Sequence, residues 1–85
     1  MGRALTSQRS VVLGSERETF LDRLRARRAY YTQAGCNYWV FEERDMPGAF
    51  VEFIEAPDAR RLRDALGKAP ERGPGSARIY EELEL

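Results

Sequence analysis

One carboxylate and one amide stand out among the side chains that could take part in catalysis. Glu52 lies between Phe50 and Ile54 in an otherwise apolar stretch, and a carboxylate in such surroundings is suited to general acid or base catalysis. Its plainer alternative, which we favour, is an ion pair with an arginine of the same or a partner chain. Asn37 could hold a substrate carbonyl, or it could help to begin a strand. Glu52 and Asn37 are therefore the candidate catalytic residues.

The composition argues against several kinds of chemistry. The 85 residues contain no histidine and a single cysteine, Cys36, so neither a dedicated transition-metal site nor a Cys–His nucleophile pair is expected. No cofactor is predicted. Fourteen Lys and Arg balance fourteen Asp and Glu, and this zero net charge argues against nucleic acid or an anionic membrane as a partner. The lone cysteine and the lack of a signal-like or membrane-spanning run predict a reducing, cytoplasmic setting.

The first half of the chain predicts a strand followed by a long helix. Residues 3–13 alternate loosely and end in a Val-Val-Leu triplet, which is typical of a strand. Ser15 and Glu18 have the spacing of a capping box, and Gly35 suits a left-handed cap at the helix C-terminus. Positions at helical spacing define one shared face: Phe20, Leu21, Leu24, Arg28 and Tyr31. The arginine run of the helix goes around it and is interpreted as a solvated surface: Arg23, Arg25, Arg27 and Arg28.

The second half of the chain predicts a hairpin, a short helix and a last strand. Residues 36–43 and 49–55 are rich in aromatic and β-branched residues, and the Pro-Gly pair between them supplies a turn, so the two strands are expected to be antiparallel. The remaining segments are a short helix that Asp58 caps and that ends at about Leu66, and a Gly/Pro-rich loop over 67–76. Residues 77–83 are interpreted as a last strand, with a short helical end as the alternative.

This order of elements predicts an α+β fold of the ferredoxin-like βαββαβ type in one domain over residues 1–85. Such a fold has a four-stranded antiparallel sheet with both helices on one face, which leaves the other face open. Alternation along the third strand is interpreted as placing two sets on opposite faces: Ala49, Val51 and Phe53 toward the helices, and Gly48, Phe50, Glu52 and Ile54 toward the open side.

The third strand also matches half of the signature of RNA-recognition domains. Residues 46–53 reproduce its second half, Ala-Phe-Val-Glu-Phe, but lack the cation and the aromatic of its first half. On the interpreted open face only Phe50 could stack a base, and Glu52 would repel phosphate. RNA binding is therefore not predicted.

The open face is predicted to be a dimer interface. The second strand carries Tyr38 on one side and Trp39 and Phe41 on the other, and the sequence leaves open which side faces the helices. Either choice exposes large apolar side chains in a patch too large for a stable monomer. We therefore expect a homodimer with two sheets packed face to face. The residues expected in this interface or in a ligand pocket are Tyr38, Trp39, Phe41, Phe50 and Ile54.

The stretch SERETFLDRLRARRAYYTQAGCNYWVFEERDMPGAFVEFIEAPD resembles the dimeric α+β barrel proteins, particularly those related to antibiotic-biosynthesis monooxygenases. The resemblance implies a homodimer with an apolar cavity, between sheet and helices or at the dimer interface, and cofactor-independent oxidation of a small aromatic substrate. Haem-degrading members use an iron-binding histidine, which this chain lacks. Candidates to steady a substrate enolate are Asn37, Tyr38, Trp39 and Glu52. The alternative is a non-catalytic homodimer that binds a small hydrophobic ligand or a protein partner.

Overall fold

The structure, a computed structural model, describes residues 2–70 and 78–85. The helices and strands follow the predicted order. Their bounds are β1 Ala4–Val11, α1 Arg17–Gln33, β2 Asn37–Glu42, β3 Ala49–Ala56, α2 Ala59–Gly67 and β4 Tyr80–Glu81, with a 3₁₀ turn over Gly14–Glu16 before α1.

The four strands form one antiparallel sheet in the order β2-β3-β1-β4. The molecule is therefore an α+β fold with a four-stranded antiparallel sheet and two helices, and this order is compatible with the predicted ferredoxin-like arrangement. The predicted last strand shrinks to two residues, Tyr80 and Glu81, which pair with Leu5 and Ala4. Most of the loop predicted over 67–76 lies outside the described residues.

The two helices begin differently. The Asp58 carboxylate accepts a hydrogen bond from the backbone N–H of Arg61 at 2.8 Å, which confirms the predicted cap of α2. The capping box predicted for α1 is wrong. Ser15 lies in the 3₁₀ turn, which is closed by a hydrogen bond from the Glu16 N–H to the Leu13 carbonyl. Because α1 begins two residues after Ser15, the Ser15 hydroxyl does not cap it.

Glycine is required at the turn between β2 and β3. Gly48 has a φ of +93°, and a Cβ atom there would lie 2.7 Å from the carbonyl oxygen of Val12. The Val12 N–H donates to the Gly48 carbonyl at 2.8 Å, so the turn lies directly against the end of β1. Gly35, with a φ of +85°, ends α1 in the left-handed conformation that was predicted for it.

The core lies between the sheet and the helices. Phe20 and Leu24 of α1 pack on Phe50, and Leu62 of α2 belongs to a second cluster that contains Ile54. Because Phe50 and Ile54 are four residues apart on β3, they lie on the same face, and both helices therefore cover that face.

The face that the sequence analysis assigned to each β3 residue is consequently reversed. Phe50, Glu52 and Ile54 were expected on the open side, but all three are buried beneath the helices. Val51 and Phe53 are on the uncovered side and only partly buried. Alternation could not choose between the two registers, because each set of side chains contains large apolar members.

Candidate functional site

Glu52 is the only carboxylate among the buried residues that the structure describes, and it is held by two neighbours. The Arg27 Nη1 donates to both carboxylate oxygens, at 2.8 and 3.0 Å, and the Tyr38 hydroxyl donates to Oε1 at 2.6 Å. The side chains of Glu52 and Arg27 are 3% and 17% exposed. These three residues form what we call the Glu52 cluster, and its ion pair is the alternative favoured from the sequence.

A row of tyrosine rings extends from this cluster. Tyr38 stacks on Tyr31 with a centroid separation of 5.8 Å and an interplanar angle of 8°, and Tyr30 meets Tyr31 edge to face at 4.9 Å. Burial first, and then the hydrogen bond to Glu52, raises the pKa of the Tyr38 phenol above its ordinary value. Tyr38 is therefore a hydrogen-bond donor to the carboxylate throughout the physiological pH range.

Sequence reasoning missed Arg27, which was interpreted as part of a solvated surface. Arg27 is seven residues after Phe20, three after Leu24 and four before Tyr31, a spacing that places all four on one side of a helix. The buried face of α1 was thus predicted one residue out of phase, because Arg28 was assigned to that face and is exposed. The signal was present in the spacing, but an arginine is not normally counted as a core residue.

Asn37, the second candidate catalytic residue, lies on the opposite face of the sheet. It is exposed, and its amide Nδ2 donates to Glu55 Oε1 at 2.8 Å. The β3 residue opposite Asn37 is Glu55, whereas Glu52 lies opposite Val40 of β2. The structure therefore does not bring Glu52 and Asn37 together.

The hairpin register, which the sequence left open, places Trp39 and Phe41 on the uncovered face. They are 44% and 58% exposed and lie opposite Phe53 and Val51 on β3. Phe41 and Phe53 meet edge to face with their centroids 5.8 Å apart. On the neighbouring strands, Leu5 and the exposed Tyr80 pair with each other. We call the set Leu5, Trp39, Phe41, Val51, Phe53 and Tyr80 the aromatic face.

Charged side chains within and around the aromatic face are neutralised in pairs, and two of them, Glu55 and Arg9, lie opposite Leu5 and Val51 of that face. Arg9 donates to Glu43 at 2.8 Å. Arg3 forms ion pairs with Glu55 at 2.9 Å and with Glu82 at 2.8 Å. The hydrogen bond from Arg9 lowers the pKa of the Glu43 carboxyl, and the one from Arg3 does the same for Glu82. This face and its border thus carry both signs of charge in contact.

A groove of about 480 Å³ lies on the other side of β2, between that strand and α1. Three of the residues predicted for a pocket or an interface line it, namely Tyr38, Trp39 and Phe50. Arg17 closes one end, where its two terminal nitrogens donate to the two Glu42 carboxylate oxygens at 2.7 and 2.8 Å. We call this cavity the α1–β2 groove. Ile54 and Phe41, the other two predicted residues, do not line it.

The described parts of the chain show neither a metal-binding cluster nor an activated cysteine. Within residues 2–70 and 78–85, no group of three or more His, Cys, Asp and Glu side chains could hold a metal ion. Cys36 is buried, and burial raises the pKa of its thiol, which makes a thiolate nucleophile harder to form. Neither described helix is long and apolar enough to cross a membrane.

Comparison with known proteins adds no relative. No protein-family model, no curated protein and no solved structure matches this chain. The resemblance to the dimeric α+β barrel proteins therefore stays a prediction, and functional inference depends on the geometry described above.

Proposed function

We propose that the protein acts as a non-catalytic homodimer, in which two copies pack their aromatic faces together as in a dimeric α+β barrel, and that it binds a small apolar ligand. The main observation in favour of the dimer is the uncovered apolar surface of the sheet. Trp39 and Phe41 are each about half exposed and adjoin Phe53 and Val51 on the uncovered face, while the half-exposed Tyr80 pairs with Leu5 at the β4 edge of the same face. A contiguous apolar patch of this kind is typical of an interaction site.

A second copy of the chain is the occupant that the charges favour. The carboxylates within and beside the aromatic face are already paired with Arg3 and Arg9 of the same chain. Two identical faces can therefore meet without bringing unpaired like charges together. A strongly acidic or basic partner would find no net charge of opposite sign to attract it.

The size of the face is compatible with a dimer of modest area. Its strands β1 and β3 are eight residues long, β2 has six residues and β4 has two. At about 3.4 Å per residue and about 4.8 Å between strands, the sheet covers about 390 Å². Two such flat faces give about 800 Å², and the uneven surface of the side chains adds to this area toward the roughly 1,000 Å² that a specific interface needs.

A binding role is favoured over catalysis because the two candidate catalytic groups are separated and engaged. Glu52 is bonded to Arg27 and Tyr38 in the core, and Asn37 is bonded to Glu55 on the opposite face. A general base must reach a proton of the substrate directly or through one water, and the 3% exposure of Glu52 leaves little access. Monooxygenase-like chemistry, the first interpretation of the sequence, is therefore less favoured here than its non-catalytic alternative. The α1–β2 groove supports the binding role.

The dimer is tested by placing a charge on the aromatic face. Phe41→Asp should shift the protein from two copies to one in sedimentation velocity, because a carboxylate would be buried without a partner. Leu13→Asp is the matched control, since Leu13 is 71% exposed and lies outside the four strands. It should sediment as the unaltered protein does.

Either of two results would contradict the dimer. The unaltered protein could sediment as a folded single copy at high concentration, or Phe41→Asp could leave the two-copy species intact. Far-ultraviolet circular dichroism on the same samples checks that each variant is folded.

A further inference from the structure

The floor of the α1–β2 groove is apolar and firmly packed. Leu24 and Phe50 are buried in its base, and the partly buried Leu21 and Val40 extend this surface toward the sheet edge. Phe50 is fixed by contact with the Phe20 ring at a centroid distance of 5.2 Å. The volume of about 480 Å³ falls within the range of about 300–1,000 Å³ for small-molecule sites. The groove therefore suits the apolar body of a small ligand.

The rim of the groove is basic. Three guanidinium groups line it, those of Arg17, Arg25 and Arg28, against a single lining carboxylate, Glu42. Arg17 is fully engaged, since it is held by Glu42 and lies 5.3 Å above the Phe50 ring. The rim thus carries more positive than negative charge, unlike the paired border of the aromatic face.

Arg28 is the rim arginine whose N–H donors are left to bind a ligand. Arg25 is bound to Asp22 at 2.7 Å, but Arg28 forms no hydrogen bond or ion pair among the described residues. A guanidinium is charged at every practical pH and presents a planar fork of N–H donors that matches a carboxylate. An exposed free arginine is ordinary by itself; here it lines an apolar groove whose other charges are already paired.

We propose that the α1–β2 groove binds a small amphipathic carboxylate, with its apolar body on Leu21, Leu24 and Val40 and its carboxylate on Arg28. The inference rests on the proposed binding role and adds the chemical class of the ligand. It does not depend on the dimer, because most of the groove lies on the helix-covered side of the sheet. A protonated amine of the same shape would be repelled by the charge of Arg28. A neutral alcohol would form no ion pair with it.

The test compares three probes of equal chain length by isothermal titration calorimetry. Octanoate should bind at least about tenfold more tightly than octanol, and octylamine should give no saturable binding, since a hydrogen bond to a charged group supplies a factor of this size. Arg28→Gln should weaken octanoate about tenfold. Arg44→Gln removes the same charge from the exposed turn between β2 and β3 and should leave the affinity unchanged.

Charge reversal sharpens the test. Arg28→Glu should abolish octanoate binding and allow octylamine to bind. Equal affinities for octanoate and octanol, equal effects of Arg28→Gln and Arg44→Gln, or no octanoate binding by the unaltered protein would each overturn the inference.

The dimer and the ligand site can fail separately. Phe41→Asp should bind octanoate as the unaltered protein does, even though it is expected to be a single copy. A monomeric protein that binds octanoate through Arg28 would contradict the dimer alone. A dimer that binds octanol and octanoate equally would contradict the carboxylate assignment and leave the apolar binding role in place.

Discussion

The two faces of the sheet distribute their polar and apolar side chains in an unusual way. The face beneath the helices contains a buried ion pair, Glu52 with Arg27. The uncovered face carries Trp39 and Phe41, which are about half exposed. An ion pair therefore lies beneath the helices, while two large aromatic rings lie partly in solvent on the other face.

Hydrophobicity alone therefore does not identify which face of a sheet the helices cover when both faces carry large apolar side chains. On β3 the covered set includes Phe50 and Ile54, and the uncovered set includes Val51 and Phe53. A sheet that is apolar on both sides is expected to be buried on both sides. The helices account for one side, and the proposed second copy accounts for the other.

The largest expected effect comes from breaking the ion pair of the covered face. Arg27→Met keeps the apolar stem but leaves the Glu52 carboxylate buried without its cation, which should lower the free energy of unfolding by about 3–5 kcal/mol. Urea denaturation followed by circular dichroism measures this loss.

The control for this prediction removes both charges. Arg27→Met combined with Glu52→Gln keeps an acceptor for the Tyr38 hydroxyl and should recover most of the lost stability. A loss below about 1 kcal/mol for the single variant, as for a surface ion pair, would mean that the cluster is not buried as described.

The next effect compares one phenylalanine from each face. Phe50→Ala should cost about 3–5 kcal/mol, because Phe50 is 3% exposed and packs against Phe20 and Leu24. Phe41→Ala should cost about 1 kcal/mol or less when the protein is diluted to a single copy, since this ring is mostly in solvent. Thermal unfolding at low protein concentration measures both. Equal costs, or the larger cost at Phe41, would contradict the placement of Phe50 beneath the helices and of Phe41 on the uncovered face.

The fold was more predictable than the direction of its side chains. The turn at Gly48, the cap at Asp58 and the left-handed Gly35 follow from local backbone chemistry, and the structure confirms all three. The choice of face on β3 depends on which helix packs where, and that is tertiary information. The α1 capping box failed for a local reason, because a 3₁₀ turn took the place of the helix start at Ser15.

The candidate site was predictable only in part. Glu52 was singled out correctly as an unusual carboxylate, and its ion pair with an arginine was the favoured alternative. Its partner Arg27 was not identified, because arginines repeat around α1 and only the helix phase distinguishes the buried one. The Arg28 side of the α1–β2 groove was missed as well, since a groove between α1 and β2 depends on how the two elements pack.

The smallest expected effect concerns an ion pair at the surface, for comparison with the buried one. Hydrogen bonds from Arg17, and then from the Gly48 N–H, lower the pKa of the Glu42 carboxyl from 4.5 to about 2. A lowered pKa means that the folded state is stabilised while Glu42 is ionised and loses this contribution as the pH falls from about 4.5 toward about 2.

Glu42→Gln should therefore have a melting temperature that falls less steeply than that of the unaltered protein over this pH range. Glu84→Gln, a change at an exposed carboxylate without a described ion pair, is the control and should reproduce the slope of the unaltered protein. Identical slopes for all three proteins would show that the Arg17–Glu42 contact adds nothing to stability in solution.

The proposed packing of two aromatic faces is tested most directly by the fluorescence of Trp39, the single tryptophan of the chain. As the protein concentration rises, its emission maximum should move to shorter wavelength and acrylamide should quench it less, because the indole leaves water when the faces meet. Phe41→Asp should keep the long-wavelength emission at every concentration. An emission maximum that stays long and quenchable in a folded, concentrated sample of the unaltered protein would contradict the account.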